Sequence, residues 1–339
     1  MRFSRKGIGG SNPLVSANKV SRDKKGVFVK IGVAGGAGFI GSNLVEHLVI
    51  QGHQVAVFDN LETGSLENLS GLDYEFVNGD LRDVDGIRNF LFDKEIQYLV
   101  HLGALGSVPR SIAQPRQSFE SNAIATLNVL EAIKEAKIPM VFSSSSSVYG
   151  SNPKLPKSET DWLSPLSPYA ASKMASEGMC LAFKESFNVS VTIYRLFNVF
   201  GPRQNPDGVY AAVLPKWIVA AFNQKPLVVF GDGEQKRDFT YVNDVVSILY
   251  KSILAKHNAK YPVNLAFGHS LTLNRILDVF KDYFGNVKIE YREARKGDVR
   301  NSESDATQLY RLHDGNVEVT SIEQGLMETF DWFKTYYKF

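Results

Sequence analysis

Hydrophobic and polar positions alternate in a regular rhythm up to about residue 197, and this rhythm predicts strands and helices in turn. Short apolar runs rich in β-branched residues predict strands at 27–35, 54–59, 74–79, 97–104, 139–145 and 189–196. Amphipathic stretches between several of these runs predict helices at 42–52, 86–95 and 126–137. Strands that alternate with helices of this length are typical of a parallel sheet covered on both faces. We therefore predict the α/β class, with a doubly wound parallel sheet.

The pattern changes beyond Phe197. Loops become longer and richer in glycine and proline, as at 201–210 and 231–239, and the alternation of strands with helices weakens. One more strand of the sheet is predicted at 262–268, and a helix and the charged segment 291–305 follow it. The chain is therefore expected to combine a nucleotide-binding core with a smaller, interleaved substrate-binding part.

The N-terminal segment is left out of this fold. Its residues are basic and rich in serine and glycine, and they lack a convincing amphipathic pattern, so a flexible arm is favoured over a transit peptide. The predicted organisation is an arm at 1–27, a nucleotide-binding domain at 28–198 with about 239–267, and a substrate-binding domain at 199–238 and 268–339.

Composition excludes several classes of protein. With 44% hydrophobic and 22% charged residues, the 339-residue chain has an ordinary globular composition, and a net charge of +2 gives no reason to expect a nucleic-acid partner. No apolar run approaches the ~20 residues that a membrane-spanning helix needs. The single cysteine, Cys180, rules out an internal disulfide and fits a cytoplasmic location. Its apolar helical surroundings favour a buried packing role over a nucleophilic one.

A glycine-rich loop follows the first predicted strand. Gly35, Gly38 and Gly41 are spaced by two residues each and stand at the head of the first helix. Glycine lets the backbone approach a pyrophosphate, and the helix N-terminus supplies unpaired N–H groups. Asp59 ends the second strand, 24 residues after Gly35, where a carboxylate can bind a ribose diol and would repel a 2′-phosphate. The pattern predicts a Rossmann-like domain that binds NAD in preference to NADP, with a plain turn aspartate as the alternative.

A tyrosine and a lysine stand four residues apart in the segment SPYAASK, at 167–173. In the first turns of a helix, Tyr169 and Lys173 would lie on one face and could present their polar tips to one point. Taken alone, the pair is better interpreted as a solvated surface feature, because so short a string occurs by chance. A lysine ammonium one turn away and a nearby cationic nicotinamide would favour the phenolate of a tyrosine, whose ordinary pKa is near 10. The chemistry of a general acid/base therefore fits the pair.

The motifs together resemble the extended short-chain dehydrogenase/reductase family of NAD-dependent epimerases and dehydratases. The similarity runs from about residue 29 to 335 and includes the motifs at 59–64, 79–83, 101–104, 145–150, 167–173 and 237–242. Two departures are small: Ala34 replaces the usual threonine or serine, and Gly103 stands where alanine is common. Neither removes a catalytic group.

The resemblance implies roles for individual residues. It makes Tyr169 the general acid/base, Lys173 its partner and a ligand of the nicotinamide ribose, and Ser145 the hydroxyl that binds the reacting group. The residues expected to bind NAD are Gly35, Gly38, Phe39, Ile40, Gly41, Asp59, Asn60, Gly64, Asp80, Leu81, Leu102, Ala104, Asn122, Tyr169 and Lys173. No metal ligand is expected.

The residues after Ser145 indicate the reaction. Related 4,6-dehydratases carry Asp and Glu after this position, and related nucleotide-sugar decarboxylases keep a Glu, whereas Ser146 and Ser147 follow here. A hydroxyl is a poor base at neutral pH, so elimination and decarboxylation are disfavoured and reversible oxidation at one carbon remains.

The substrate half resembles the UDP-sugar 4-epimerases, most closely the bacterial UDP-N-acetylglucosamine 4-epimerases. The segments 197–217 and 295–305 carry this closer similarity. The resemblance implies that Asn198, Arg237, Arg295 and Asp298 hold the UDP, with the arginines on the pyrophosphate. The full set expected at the substrate is Ser107, Arg110, Ser145, Ser146, Ser147, Tyr169, Asn198, Ala212, Val213, Trp217, Arg237, Arg295, Asp298 and Ser302.

The function predicted is the interconversion of UDP-GlcNAc and UDP-GalNAc through a 4-keto intermediate, with NAD regenerated in each cycle. Ser302 replaces the tyrosine typical of epimerases restricted to plain sugars, which would leave room for an N-acetyl group; the alternative is an exposed loop serine with no bearing on the sugar. Two other functions stay open. One is epimerisation of UDP-glucose/galactose or UDP-glucuronate, and the other is a non-enzymatic NAD-sensing regulator, which could dispense with the catalytic residues. A homodimer through two core helices is expected from the resemblance.

Overall fold

Thirteen β-strands are present in a computed structural model that describes residues 29–207, 211–294 and 300–339. Numbered along the chain, they are β1 (Lys30–Ala34), β2 (Gln54–Asp59), β3 (Glu75–Asn78), β4 (Tyr98–His101), β5 (Met140–Ser145), β6 (Val191–Leu196), β7 (Val199–Phe200), β8 (Leu227–Phe230), β9 (Lys236–Asp238), β10 (Thr240–Tyr241), β11 (Val263–Leu265), β12 (Ser270–Thr272) and β13 (Ile289–Arg292). Seven of them form one parallel sheet in the order β11-β6-β5-β4-β1-β2-β3. The predicted doubly wound parallel sheet is therefore confirmed.

The α-helices cover both faces of this sheet. They are α1 (Phe39–Ile50), α2 (Val84–Asp93), α3 (Val108–Ala113), α4 (Pro115–Phe119), α5 (Ala125–Ala136), α6 (Pro168–Phe187), α7 (Val213–Phe222), α8 (Val242–Ala255), α9 (Leu273–Phe284), α10 (Thr307–Leu312) and α11 (Ile322–Tyr337). A π-helical turn at Glu120–Ile124 joins α4 to α5, and 3-10 turns lie at Leu66–Leu69 and Ser146–Tyr149.

The strands of the sheet have two apolar faces because successive side chains point to opposite sides. Val33, Val57 and Val100 pack with α1 and α8 on one face. Phe58 and Phe142 pack on the other face with apolar residues of α2, α5 and α6. This explains why the strands appear in the sequence as nearly continuous hydrophobic runs.

Among its described residues, the C-terminal half forms three two-stranded pairs, which are β7 with β10, β8 with β13, and β9 with β12. Its helices α7, α9 and α11 extend the core of the first face through Trp217, Phe280 and Phe330. β11 returns to the main sheet and pairs with β6 at the edge. The chain therefore leaves the main sheet after β6 and returns to it with β11.

Helix α6 begins at a point set by local sequence. The Ser167 hydroxyl accepts the Ala170 N–H at 3.2 Å, and Pro168 occupies the first turn, where its missing N–H costs nothing. The helix then runs for 20 residues to Phe187, and Asn188 ends it in the left-handed conformation. This start places Tyr169 in the first turn, at the end of the helix that faces the carboxyl ends of the strands.

Candidate active site

A cleft of about 960 Å³ runs along the carboxyl ends of the main strands, between the sheet and the C-terminal half. Residues that end or directly follow β1 to β6 line it, as the topology of an open parallel sheet requires. The predicted site residues on its wall are Gly35, Gly38, Phe39, Ile40, Gly41, Asp59, Asn60, Asp80, Leu81, Leu102, Ala104, Ser145, Ser146, Ser147, Tyr169, Lys173, Asn198, Ala212, Val213, Arg237 and Ser302. The structure therefore gathers most of the predicted set in one place.

The glycine loop is tightly packed against its own backbone. Gly35 has a φ of +82°, which side chains rarely adopt, and a Cβ on it would lie 2.5 Å from the backbone nitrogen of Gly103. A Cβ on Gly41 would lie 2.1 Å from the Gly35 carbonyl oxygen. Gly38 caps the N-terminus of α1 without any side-chain hydrogen bond. The first N–H groups of α1 therefore line the cleft without a capping side chain from the described residues, an arrangement that suits an anionic group.

The Asp59 carboxylate lies beside this loop at the end of β2. One oxygen accepts the Ala37 N–H at 3.0 Å and the other accepts the Leu61 N–H at 2.8 Å. These bonds hold the carboxylate in the cleft wall, and each oxygen keeps a lone pair for a diol. Nearby, the Asn60 amide donates to Asp80 at 3.0 Å, and the Arg82 guanidinium beside Asp80 holds the pKa of that carboxyl well below its usual range.

Tyr169 and Lys173 lie one helical turn apart at the middle of the cleft. The buried Lys173 ammonium donates to the Ser143 carbonyl at 2.8 Å and lies 5.0 Å from the centre of the Phe142 ring. Burial lowers the pKa of Lys173 to about 8. Burial also raises the pKa of Tyr169, and a hydrogen bond with Ser145 opposes that rise. The i, i+4 pair of the sequence thus lies in the cleft with Lys173 buried and Tyr169 half-buried, and Ser145 is hydrogen-bonded to the tyrosine phenol.

The serine run joins β5 to the site. Ser145 ends the strand, and its hydroxyl accepts the N–H of Ser147 at 3.2 Å and the hydroxyl of Ser147 at 2.9 Å. Ser144 instead points to the buried side of the sheet, where it donates to Glu177. Because successive side chains of a strand point to opposite faces, the two neighbouring serines have different partners. Ser144 bonds to Glu177, and Ser145 bonds to Tyr169.

The other end of the cleft is assembled from separate segments. The Asn198 amide donates to the Asp238 carbonyl at 3.2 Å, which ties the end of β6 to β9. The Arg237 guanidinium donates to the Arg300 carbonyl at 2.9 Å, and the Ser302 N–H donates to the Lys236 carbonyl at 3.0 Å. These contacts bring Asn198, Arg237 and Ser302 to one wall of the cleft, although the first and the last are far apart in the sequence. Arg295 and Asp298 lie outside the described residues.

Two predicted cofactor residues lie behind the cleft wall. A Cβ on Gly64 would lie 2.8 Å from the backbone carbon of Ala37, so Gly64 allows a close approach of two backbone segments. Asn122 is buried in the π-helical turn, where its carbonyl oxygen accepts the Leu105 N–H at 2.8 Å and its amide donates to the Ser172 hydroxyl at 2.9 Å. Both residues shape the site from behind, and their direct contact with NAD stays a prediction.

Three predicted substrate residues also lie off the wall. Trp217 is buried in the core, and its indole N–H donates to the Val228 carbonyl at 2.8 Å. Ser107 caps α3 by accepting the Arg110 N–H at 3.3 Å, and the Arg110 side chain pairs with Glu62 at 3.7 Å. The described cleft wall therefore does not include Trp217, Ser107 or Arg110, and their contact with the substrate stays a prediction.

The sequence analysis missed several residues of the cleft wall. Gln204 lines it within the segment 197–217 and donates to the Val199 carbonyl at 3.1 Å. Asn301 lies beside Ser302 and accepts the Lys236 N–H at 3.2 Å. Both lie in the segments 197–217 and 295–305, which carry the closer similarity to the 4-epimerases. Their polar side chains in these segments could have predicted a place on the cleft wall. The exposed apolar residues Ile112 and Leu166 also line the wall, and no motif pointed to them.

The described residues contain neither a metal-binding cluster nor a membrane-spanning helix. Within 29–207, 211–294 and 300–339, no group of three or more His, Cys, Asp or Glu side chains is arranged to hold a metal ion. Over the same part of the chain, none of the helices combines the length and the apolar character needed to cross a membrane.

Comparison with known proteins agrees with this geometry. The model of the NAD dependent epimerase/dehydratase family matches residues 31–266. A solved UDP-N-acetylglucosamine 4-epimerase from Methanobrevibacter ruminantium, in complex with UDP-N-acetylmuramic acid, has a TM-score of 0.85 and 37% identity over 91% of this chain and 99% of its own. The UDP-glucose 4-epimerase of Mycolicibacterium smegmatis is 31% identical over 89% of this chain and 97% of its own length. The UDP-glucuronate 4-epimerase of Thermodesulfobacterium geofontis is 30% identical over 89% and 95%.

Proposed function

The chain belongs to the NAD-dependent epimerase/dehydratase family, and we propose that it is an isomerase that inverts C4 of a UDP-sugar, interconverting UDP-GlcNAc and UDP-GalNAc. The observation that carries this proposal is the convergence of Tyr169, Lys173 and Ser145 at the middle of one cleft. The glycine loop lies at one end of that cleft and Ser302 at the other. A cofactor and a sugar bound from opposite ends would meet at Tyr169.

The residues at the cofactor end fit NAD. The backbone of Gly35 and Gly41 is so closely packed that no side chain could be added, which leaves the start of α1 open for a pyrophosphate. Asp59 holds its carboxylate where a ribose diol would bind. When bound, NAD supplies the acceptor and donor of the C4 hydride and a positive charge on its nicotinamide ring.

The proposed proton transfer follows from the central residues. The Tyr169 phenolate takes the proton of the C4 hydroxyl, and Ser145 donates to the same oxygen. Burial alone raises the pKa of Tyr169, so the phenolate requires nearby positive charge. Lys173 supplies one such charge from the next turn of the helix. The three side chains then return the proton when hydride comes back to the other face of the 4-keto sugar.

The residues after Ser145 support epimerisation over elimination. Ser146 and Ser147 line the cleft where an elimination enzyme would need a carboxylate, and Ser147 donates to Ser145. We assign Asn198 and Arg237, together with Arg295 and Asp298, to the UDP. Ser302, Ser146 and Ser147 are assigned to the sugar, where their hydroxyls can satisfy a buried acetamide.

Other UDP-sugars remain candidate substrates. A relative named UDP-glucose 4-epimerase and one named UDP-glucuronate 4-epimerase have nearly the same sequence identity to this chain, 31% and 30%. Ser302 favours the acetylated sugar because a serine leaves more room than a tyrosine beside C2. A regulator that only senses NAD would have no use for Tyr169, Lys173 and Ser145 together in one cleft, which disfavours that function.

The direct test supplies the purified protein with UDP-GlcNAc and follows the anomeric and acetyl resonances by NMR. We expect UDP-GalNAc to form without added NAD and without growth of NADH absorbance, because each hydride returns to the sugar that gave it. UDP-glucose and UDP-glucuronate, at the same concentration, serve as matched substrates. Faster turnover of either would replace UDP-GlcNAc as the proposed substrate. NADH that grows in step with substrate would identify a dehydrogenase instead.

We also propose a cytoplasmic homodimer. Phe119 and Ile124, on the helical run that ends in α5, and Phe187, on α6, are exposed apolar side chains that a second copy could cover. The single Cys180, which is buried and free, suits a reducing compartment. Sedimentation at micromolar concentration should give twice the chain mass, whereas a species of 37.7 kDa would contradict the dimer.

A further inference from the structure

A buried ion pair joins α6 to β6, one helical turn beyond Lys173. The Glu177 carboxylate accepts two hydrogen bonds from the Arg195 guanidinium, from Nε at 2.9 Å and from Nη2 at 2.7 Å. The two side chains are only 3% and 4% exposed. Ser144 of β5 also donates to Glu177, and Arg195 donates to the Tyr149 hydroxyl at 2.9 Å. No motif in the sequence analysis assigned a role to Glu177 or Arg195.

Glu177 has a defined place relative to the proposed catalytic pair. Tyr169, Lys173 and Glu177 follow one another at intervals of four residues, so they form one stripe along α6. The Lys173 ammonium in the middle of this stripe is buried and bonds to a neutral carbonyl, that of Ser143. A buried ammonium is costly unless an opposite charge lies near it. The next turn of the helix supplies that charge as a carboxylate.

Apart from Tyr169 itself, the other titratable groups near Lys173 carry no negative charge at neutral pH. Burial lowers the pKa of His101, on β4, to about 3, so its imidazole is neutral. Burial raises the pKa of Cys180, on α6, well above its usual range, so its thiol is neutral as well. Burial is also the main influence on Lys173 itself and lowers its pKa, while the charges of a Cys180 thiolate and of the Glu177 carboxylate would oppose that fall. Among the described neighbours, Glu177 is therefore the group that can favour the charged lysine.

We propose that the Glu177 carboxylate is the buried counter-ion that keeps Lys173 charged, so that Lys173 can hold Tyr169 as a phenolate. Glu177 acts through Lys173 and touches neither cofactor nor sugar, so it is a positioning residue. Arg195 completes the arrangement, because its two hydrogen bonds fix where the carboxylate lies. The inference rests on the roles proposed above for Tyr169 and Lys173.

The test is a titration of the Tyr169 phenolate in the NAD-loaded protein. Phenolate absorbance is recorded against pH for each variant and for its Tyr169→Phe counterpart, and the difference isolates Tyr169 from the other tyrosines. Glu177→Gln should move the midpoint of this difference titration upward by about one pH unit or more. It should also lower kcat at neutral pH by tenfold or more with little change in KM.

Three companion variants separate charge from packing. Ser144→Ala removes a hydrogen bond to Glu177 but keeps every charge, so it should leave the midpoint unchanged. Glu177→Asp keeps the carboxylate and should return the midpoint most of the way to the starting value. The double variant Glu177→Gln/Arg195→Gln leaves no unpaired arginine in the core, so it covers the case in which Glu177→Gln alone fails to fold. The double variant should still show the upward shift.

An unchanged midpoint in folded Glu177→Gln or in the double variant overturns the proposal. An equal shift in Ser144→Ala also overturns it, because packing would then be the cause. The titration uses no UDP-sugar, so its outcome is independent of which substrate the protein epimerises.

Discussion

At the cofactor end of the cleft, the wall comes from one continuous sheet, whereas at the substrate end it comes from loops joined by two-stranded pairs. Gly35, Gly41 and Asp59 follow directly from neighbouring parallel strands and are held by backbone contacts. Asn198 and Ser302 are joined through hydrogen bonds to the strand β9 and its flanking residues. We therefore expect the cofactor end to tolerate few substitutions, whereas residues of the substrate end can be substituted without loss of the fold.

The largest effect is expected where the two ends meet. Tyr169→Phe removes the acid/base but keeps the ring, so kcat should fall by about a thousandfold or more, within the range known for general acid–base groups. NAD and UDP-sugar affinities should change little, and equilibrium binding measures both. Retention of more than a few per cent of the activity would remove Tyr169 from this role.

The rigidity of the cofactor end can be tested at a glycine. Gly41→Ala places a methyl group 2.1 Å from the Gly35 carbonyl oxygen, so the loop must open. We expect NAD affinity to fall by roughly a hundredfold, measured by calorimetry, since the loop backbone is the proposed pyrophosphate site. Gly178→Ala is the matched control, because a Cβ at this exposed helical position meets nothing within 4 Å. It should raise the free energy of unfolding by about 0.5–1 kcal/mol. An equal loss of NAD affinity in both variants would contradict the steric explanation.

The adaptability of the substrate end can be tested at Ser302. Ser302→Tyr should slow UDP-GlcNAc turnover by tenfold or more while sparing UDP-glucose or UDP-galactose, because the ring fills the space proposed for the acetamide. Thermal denaturation should show an unchanged fold, since Ser302 contributes only its N–H to the described contacts. A parallel fall for acetylated and plain sugars, or no change for either, would show that Ser302 is not the selective position.

A smaller effect concerns stability in acid at the cofactor end. His101 is fully buried beneath the strand ends, its Nε2 contacts the Thr126 hydroxyl at 3.1 Å, and its Nδ1 has no partner among the described residues. Burial lowers the pKa of His101 from 6.5 to about 3, so the unfolded chain binds this proton at a higher pH than the folded protein does. Below pH 6.5 the free energy of unfolding should therefore decrease by about 1.4 kcal/mol per pH unit from this group.

The measurement is urea denaturation at pH 7 and pH 5. His101→Gln should reduce the difference in stability between the two pH values by about 2 kcal/mol, which is the stated slope over 1.5 units. The exposed His269→Gln serves as the control and should leave the difference unchanged. An undiminished difference in His101→Gln would assign the acid sensitivity to other groups.

The two ends also differ in how far the sequence predicts them. The strand predicted at 54–59 has the observed bounds of β2, and the strand predicted at 262–268 contains β11, because parallel strands buried on both faces leave long hydrophobic runs. The same runs place Asp59 and Ser145 at strand ends, and therefore at the cleft. For the cofactor end, the hydrophobic runs and the rule that ligands bind at the carboxyl ends of parallel strands were enough to predict the strands and the position of these two residues.

The pairs β7 with β10 and β9 with β12 could not be predicted in this way. Strands of two or three residues, such as β10 and β12, are too short to show any alternation. Trp217 illustrates the consequence, because a motif of the substrate half places it near the sugar while the packing of α7 against β8 turns it into the core. Glu177 was missed for a related reason: its importance depends on Arg195, 18 residues away, and on burial that no spacing reveals.

The return of β11 to the edge of the main sheet has a consequence for synthesis of the chain. β6 is complete at residue 196, but its outer edge stays unpaired until residues 263–265 have left the ribosome. Through that interval a growing chain carries an open strand edge, which invites pairing with another chain. At ordinary rates of translation, about 70 residues take several seconds. A slow translation pause after residue 200 should therefore increase aggregation of newly made protein, while the finished molecule, with this edge closed, is spared.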